Sequence, residues 1–418
     1  MFRFIHTADI HLDSPLRGLE VHEDAPVEEI RGATRRAFDN LIDLAIEDEV
    51  AFVLIAGDLY DGDWKDYNTG LFFAGRMGRL AKAGIRVFIV SGNHDAASRI
   101  TRIMPLPGNV TLFPHKKPHS VILDDLGVII HGQSYSSRAV TENLASQYPQ
   151  HDADSFNIGL LHTSLTGREG HEDYAPCTVD DLKSKGYDYW ALGHVHKREI
   201  VSEDPLIIFP GNIQGRHIKE TGAKSATMVT VEDGRITAVE ERELDVLHWA
   251  VCQVDLSECE TRAAVYERVR SVMEEEQSMA EQRTLALRLE LTGSCPMHAE
   301  LHARAAQLIE ELRGIAVGLG DIWLEKVKIL TSRRTSLEEL VGEDTPLAGL
   351  LQAIAGLDFG GDALTTLVPD LANLKTKLPA ELVATDSLLS SQPDQLTELR
   401  EEVRELLIAK LIQHGGEA

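Results

Sequence analysis

The succession of apolar and polar segments predicts an α/β protein: a four-layer α/β/β/α sandwich, then a small α+β domain, then a helical C-terminal region. Three observations carry this reading. Residues 2–95 alternate compact apolar runs with helical spacing, in the order strand, helix, strand, helix, strand, which is the signature of a parallel sheet. From Val110 to Val239 short β-type runs crowd together with few helices, which requires a second sheet packed on the first. Beyond Trp249 charged helical spacing surrounds cleanly alternating β runs. A chain of 418 residues, 43% of them hydrophobic, is long enough for two or three domains. The boundaries fall at 1–245, 246–332 and 333–418.

Each element has its own signal. Phe2–His6 reads as the first strand and ends at Thr7-Ala8-Asp9-Ile10-His11. Ile30, Ala33, Phe38, Leu41, Ile42, Ala45 and Ile46 have the 3.6-residue spacing of a helix over 27–47. Ala51–Ala56 is a compact apolar run that stops at Gly57-Asp58. A helix over 67–83 leads to the run Arg86–Val90, which stops at Ser91-Gly92-Asn93-His94-Asp95. Further strands are expected at Val110–Phe113, Ser120–Leu123, Val128–His131, Asn157–His162 and Tyr189–Leu192. Others follow at Arg198–Val201, Leu206–Phe209, Ala226–Val231 and Arg235–Val239. In the second domain Trp249–Leu256 reads as a strand, Arg262–Ala280 as a helix, and Leu285, Leu287, Leu289 and Leu291 as the buried face of a strand. His298–Leu312 reads as a helix and Ile322–Leu330 as a strand. The last segment holds an apolar stripe, Leu396, Leu399, Val403, Leu406 and Ile408 or Leu411, stopped by Gly415-Gly416.

The net charge of −26 opposes nonspecific attraction to nucleic acid. The acidity is spread evenly, with −13 in residues 1–245 and −13 in 246–418, so a polyanion must be met by a local patch, bound cations or a partner. Cys177, Cys252, Cys259 and Cys295 form no Cys-x-x-Cys pair, which leaves no thiolate zinc site and fits reduced thiols. No apolar window reaches membrane-spanning length, and the cytoplasm is the expected compartment. Histidine is uneven: 13 of 17 precede residue 246, which places the chemistry in the first domain.

Polar residues gather where the strands end: Asp9 and His11, Asp58, Asn93 and His94, His162, then His194 and His196. Strand ends of an α/β sheet are where ligands bind. The set offers carboxylate, imidazole and amide donors and no thiolate, a mixture that suits Mn²⁺, Fe²⁺ or Zn²⁺. One carboxylate shared by two ions about 3.5–4 Å apart would leave room for an activated water between them.

The motifs Asp9-Ile10-His11, Gly57-Asp58, Gly92-Asn93-His94-Asp95, His162 and Gly193-His194-Val195-His196 occur in this order over the first 200 residues. In that order they resemble the calcineurin-like metallophosphoesterase superfamily. Within it, the chain resembles the SbcD-type DNA repair exonucleases, most closely the YhaO-like bacterial branch. That resemblance rests on His6–Leu16, Ala56–Asp61, Leu192–Arg198 and Pro210-Gly211-Asn212-Ile213-Gln214-Gly215-Arg216. It implies the metallophosphoesterase sandwich with a capping domain. It also implies two divalent ions, most readily Mn²⁺, one on Asp9, His11, Asp58 and His196, the other on Asp58, Asn93, His162 and His194. Asp58 is then the bridge and His94 the histidine that binds no metal, protonating the leaving 3′-oxygen, with Asp95 holding its ring. The implied reaction is hydrolysis of DNA phosphodiesters by a hydroxide held between the two ions. Implied partners are DNA, an SbcC-type coiled-coil ATPase docked on the C-terminal helices, and a second copy of the chain.

Other polar residues have plainer readings. His6 and His131 fill core or edge positions of strands, and His22, His115, His119, His151 and His171 lie in polar loops. Asp13 and Asp61 flank the motifs without matching ligand positions and read as residues that support the ligands, a reading favoured over plain surface acids. Arg216 and His217 are candidates for substrate contact, as are Lys116 and Lys117, although solvated loop charge explains these as well. Two alternatives stand beside the nuclease: a phosphodiesterase for a small nucleotide or phosphoester, favoured by the acidic balance, and an inactive tether in a DNA-repair complex, opposed by the complete donor set.

Overall fold

The computed structural model describes residues 1–14, 32–61, 67–97, 106–165, 174–281, 283–333 and 349. The expected helical region from 334 onward, with its Leu396–Leu411 stripe, lies outside the described residues, as do His22 and His171. The chain divides into two units, Met1–Trp249 and Ala250–Ala418.

The first unit contains two six-stranded sheets. Strands β1 (Phe2–Thr7), β2 (Phe52–Ala56), β3 (Arg86–Val90) and β4 (Val110–Leu112) run parallel, and β11 (Ser225–Glu232) and β12 (Arg235–Glu243) extend them antiparallel. The second sheet has the order β5 (His119–Leu123), β6 (Val128–Gly132), β7 (Phe156–His162), β8 (Tyr189–Gly193), β10 (Leu206–Phe209), β9 (Glu199–Glu203). Its central strands are parallel and its edges β5 and β9 antiparallel.

Strict alternation of side chains builds the layers. Phe4, Phe52, Leu54, Phe88 and Val90 meet Val128, Ile130, Ile158, Leu160, Tyr189 and Ile208 between the sheets. Phe4 and Phe52 stack there with centroids 5.0 Å apart. The intervening residues Ile5, Val53, Ile55, Val87 and Ile89 face the other way, onto helices α1 (Ala33–Glu47) and α2 (Tyr67–Lys82). On the outer face of the second sheet Leu161, Trp190, Leu192, Ile207 and Phe209 pack under Leu144, Tyr148 and Leu182, the last from the short helix α4 (Val179–Lys183). The result is the four-layer α/β/β/α arrangement. Helix α3 (Asn93–Ala97) is a single short turn directly after β3.

The second unit is α+β. Strand β13 (Leu247–Asp255) enters it across the boundary and forms a three-stranded sheet in the order β13, β14 (Thr284–Thr292), β15 (Ile322–Ile329). Leu285, Leu287, Leu289 and Leu291 are fully buried against Val265, Val269 and Met273 of α5 (Arg262–Met279). The helix expected over His298–Leu312 is two: α6 (His298–Ala303) ends where Arg304 leaves helical geometry, with φ −121° and ψ 32°, and α7 (Ala305–Leu319) continues seven residues past the expected end. Among the described residues no helix is long and apolar enough to cross a membrane.

Candidate metal centre

The parallel strands bring their C-terminal ends together, and the ligand candidates leave the sheets there. Asp9 and His11 follow β1, Asp58 follows β2, Asn93 opens α3 after β3, His162 ends β7, and His194 and His196 follow β8. Thr7 pairs with Ile55, Ala56 with Val90, and His162 with Gly193, so neighbouring ends are in register. Three donor groups result, each with ligand atoms within 4.8 Å of one another: Asp9, His11 and His196; Asp58, His162 and His194; His11, Asp58 and His94.

The backbone here is held in costly shapes. Asp9, His11, Asp58 and His194 all have positive φ, at 51°, 45°, 51° and 111°. L-residues avoid this region, and such strain concentrates at functional sites. Neighbouring glycines permit the crowding. A Cβ on Gly193 would lie 1.9 Å from the carbonyl oxygen of Ala56, and one on Gly92 would lie 2.3 Å from Oδ1 of Asp58.

Hydrogen bonds assign the imidazole tautomers. His162 Nδ1 donates to the Ala56 carbonyl at 2.9 Å, so its Nε2 carries a lone pair. That Nε2 faces Oδ1 of Asn93 at 3.0 Å and Oδ2 of Asp58 at 3.5 Å. His196 Nδ1 donates to Oε1 of Glu220 at 2.7 Å, and its Nε2 faces Nε2 of His11 at 3.2 Å. His162 Nε2 and Asn93 Oδ1 are two acceptors directed at one another across about 3 Å, and the two Nε2 atoms of His196 and His11 stand at a similar separation. Two donors on one ion at about 2.1 Å are separated by about 3.0–3.4 Å for coordination angles between square and tetrahedral. Asp9 Oδ1 is buried with no hydrogen-bond partner among the described residues, while its Oδ2 accepts from the His194 N–H at 2.9 Å. Asp58 divides its oxygens similarly. Oδ1 accepts from the His94 N–H at 2.9 Å, and Oδ2 lies between His162 and His11, 4.0 Å from the latter's Nε2. Asp58 would therefore contribute to both ion positions.

The electrostatics agree. Burial and the Asp58 carboxylate push the Asp9 carboxyl well up, and burial raises Asp58. Burial lowers His11 and His196, and takes His162 down to about 3, leaving neutral imidazoles, the form that ligates. Two crowded carboxylates among neutral imidazoles favour divalent cations.

His94 stands apart from this pattern. A hydrogen bond to Asp61 raises its pKa, against burial. Its Nδ1 lies 2.9 Å from Oδ1 of Asp61. The expected partner Asp95 does something else. Its carboxylate accepts the backbone N–H groups of Leu59, Tyr60 and Gly92 at 3.2, 2.9 and 3.1 Å, tying the loop after β2 to the loop after β3. Asp95 thus shapes the backbone around Asp58, and Asp61 holds the His94 ring. For Asp61 burial alone would raise the pKa; hydrogen bonds with His11 and His94 outweigh it and keep the carboxylate ionised.

Arg216 enters the centre. Its Nη2 is 3.4 Å from His196 Nδ1 and 3.8 Å from Glu220 Oε1, its Nη1 is 3.9 Å from Asp61 Oδ2, and its buried Nε has no hydrogen-bond partner among the described residues. His217 is further out, its Nε2 3.6 Å from Glu220. Lys116 and Lys117 are exposed. His6 is structural, its ring bridging the Tyr189 hydroxyl and the Leu192 carbonyl oxygen at 2.8 and 3.0 Å. The four cysteines are buried, and among the described residues none is joined in a disulfide.

The class these observations define is a dinuclear metal phosphoesterase, and two family profiles and one relative place the chain among metallophosphoesterases. The family profile for calcineurin-like phosphoesterases matches residues 2–198, and that for the middle domain of metallophosphoesterase YhaO matches residues 249–332. The chain is 38% identical over 297 residues to the uncharacterized metallophosphoesterase YhaO of Bacillus subtilis, covering 70% of this chain and 72% of that one. A dimetal phosphatase structure from Danio rerio superimposes with a TM-score of 0.36 at 12% identity, over 58% of this chain and 96% of its own. The chain belongs to the calcineurin-like metallophosphoesterases and, among them, to the YhaO family.

Proposed function

We propose that this metallophosphoesterase is a phosphodiesterase acting on DNA, as an exonuclease and endonuclease of DNA repair. The observation that carries the diester reading is the His94–Asp61 pair next to the groups Asp9, His11, His196 and Asp58, His162, His194, with His94 itself completing the third group with His11 and Asp58. Hydrolysis of a diester expels an alkoxide, a poor leaving group that a positioned acid must protonate. Asp61 holds His94 by Nδ1, which directs Nε2 away from Asp61 to carry that proton. Asp9, His11, Asp58 and His196 would hold one ion, and Asp58, Asn93, His162 and His194 the other, with Mn²⁺ the proposed metal. Bound there, the ions supply Lewis acidity to the phosphate and lower the pKa of a water. Arg216 offers its guanidinium to the same anion.

The resemblance of the strand-end motifs to SbcD-type nucleases supports DNA as substrate. It extends the proposal to an SbcC-type ATPase docking on residues 393–418 and to a homodimer in the cytoplasm. The net charge of −26 favours the second reading, a small nucleotide diester. One assay separates the two: Mn²⁺-dependent release of nucleotides from linear duplex DNA, alongside hydrolysis of bis-(p-nitrophenyl) phosphate. DNA hydrolysis abolished by His94→Ser supports the nuclease. Activity on the small diester alone replaces it with the second reading.

A further inference from the structure

Glu220 has no place in the strand-end pattern, yet it has more partners in the centre than several ligand candidates. It lies in the loop after β10, and its carboxylate is nine-tenths buried. Oε1 accepts from His196 Nδ1 at 2.7 Å. Oε2 accepts from the Arg216 backbone N–H at 2.8 Å and from the Asn212 amide at 2.9 Å. Its own N–H donates to the His217 carbonyl at 2.8 Å, closing the turn that carries Arg216. One carboxylate therefore orients a metal-facing imidazole with one oxygen and anchors the arginine loop with the other.

The other half of the centre is built differently. His162 is oriented by the backbone carbonyl of Ala56, a neutral acceptor. An anionic partner on the far nitrogen makes an imidazole a stronger donor than a neutral one does, and partners of this kind govern metal affinity.

We propose that Glu220 is a positioning residue for one half of the metal centre: it fixes and strengthens His196 as a donor, so the two ion positions are chemically unequal. The position built from Asp9, His11, Asp58 and His196 depends on Glu220, and the position built from Asp58, Asn93, His162 and His194 does not. This rests on the ligand assignment proposed above. Glu220→Gln is the informative change. The amide places an NH₂ where a carboxylate oxygen now receives a donor, so either His196 or the Arg216 loop loses its acceptor.

Metal-free full-length protein is titrated with Mn²⁺ in a calorimeter. Wild type binds two ions. Glu220→Gln binds one as wild type does and the other about 10- to 100-fold more weakly. Glu220→Asp recovers part of the loss, and His196→Ala loses the same ion. Two unchanged ions in Glu220→Gln, or equal weakening of both, overturn the proposal. Two unchanged ions in His196→Ala instead overturn the ligand assignment beneath it, so the two failures are distinct. Should Glu220→Gln lack a cooperative thermal transition, wild type still decides. Long-range ¹⁵N–¹H spectra of the metal-free protein must show His196 protonated at Nδ1, and protonation at Nε2 overturns the proposal.

Discussion

Exchanging Asp61 for asparagine separates the two carboxylates that could serve His94. The substitution is nearly isosteric and keeps an oxygen for His94 Nδ1, but it removes the charge. Asp61 and the His94 ring are 21% and 30% exposed, so water screens their 2.9 Å contact only in part. A hydrogen bond between charged groups contributes about 1.5–3 kcal/mol, which is about 10- to 150-fold in rate if His94 must be protonated in the transition state. The sign follows from the raised pKa of His94. Asp61 stabilises the protonated ring, so activity falls as pH rises through that pKa, and without the charge the fall begins at lower pH. The assay is the initial rate against pH at saturating Mn²⁺, with a dinucleotide and with bis-(p-nitrophenyl) phosphate. p-Nitrophenolate leaves without help, so the loss must be larger for the dinucleotide. Asp95→Asn is the contrast. It disturbs three backbone hydrogen bonds, costs about 1–3 kcal/mol of stability, and slows the dinucleotide no more than bis-(p-nitrophenyl) phosphate. A dinucleotide rate for Asp61→Asn within twofold of wild type across the pH range, with two ions bound, refutes the assignment of Asp61 to His94.

Other changes test neighbouring parts of the structure. His94→Ser should retain two Mn²⁺ ions by elemental analysis while slowing diester hydrolysis by about 10²- to 10⁴-fold; loss of an ion would make His94 a ligand. Gly193→Ala forces a Cβ to 1.9 Å from a backbone carbonyl oxygen that has no room to retreat, and should cost about 3 kcal/mol or more, seen as a lowered denaturation midpoint or insoluble protein. Burial drives the His6 pKa down to about 3, so below pH 6.5 the unfolded chain takes up a proton that the folded chain refuses. Stability should then fall by about 1.4 kcal/mol per pH unit from this residue as pH drops from 6.5 toward 3, and His6→Gln should remove that slope in urea titrations even if it is less stable at pH 7. Deleting residues 393–418 should abolish ATPase-partner binding in a pull-down and spare hydrolysis of the small diester; binding by the truncated chain would move the docking site elsewhere.

The ligand candidates were legible because a parallel sheet imposes simple geometry. An apolar run that stops at a polar group marks a strand end, and parallel neighbours put those ends side by side. Asp9, Asp58, Asn93, His162 and His194 come together for that reason alone. What governs those ligands from outside was legible only as the expectation that Asp61 supports the site. Asp61 lies three residues beyond Asp58, and nothing in the order of residues says that its side chain turns to His94 while Asp95, adjacent to His94 in the chain, turns back to the loop after β2. Glu220 follows His196 by 24 residues, and only the turn closed on His217 brings its carboxylate to 2.7 Å from the imidazole. The positive φ values at Asp9, His11, Asp58 and His194 left no glycine to signal them. Strand ends set which residues can reach the metals, and loop conformation sets how strongly each one donates. A substitution in the first set should empty a metal position. A substitution in the second should leave the ions in place and change their affinity, the acidity of His94 or the reach of Arg216.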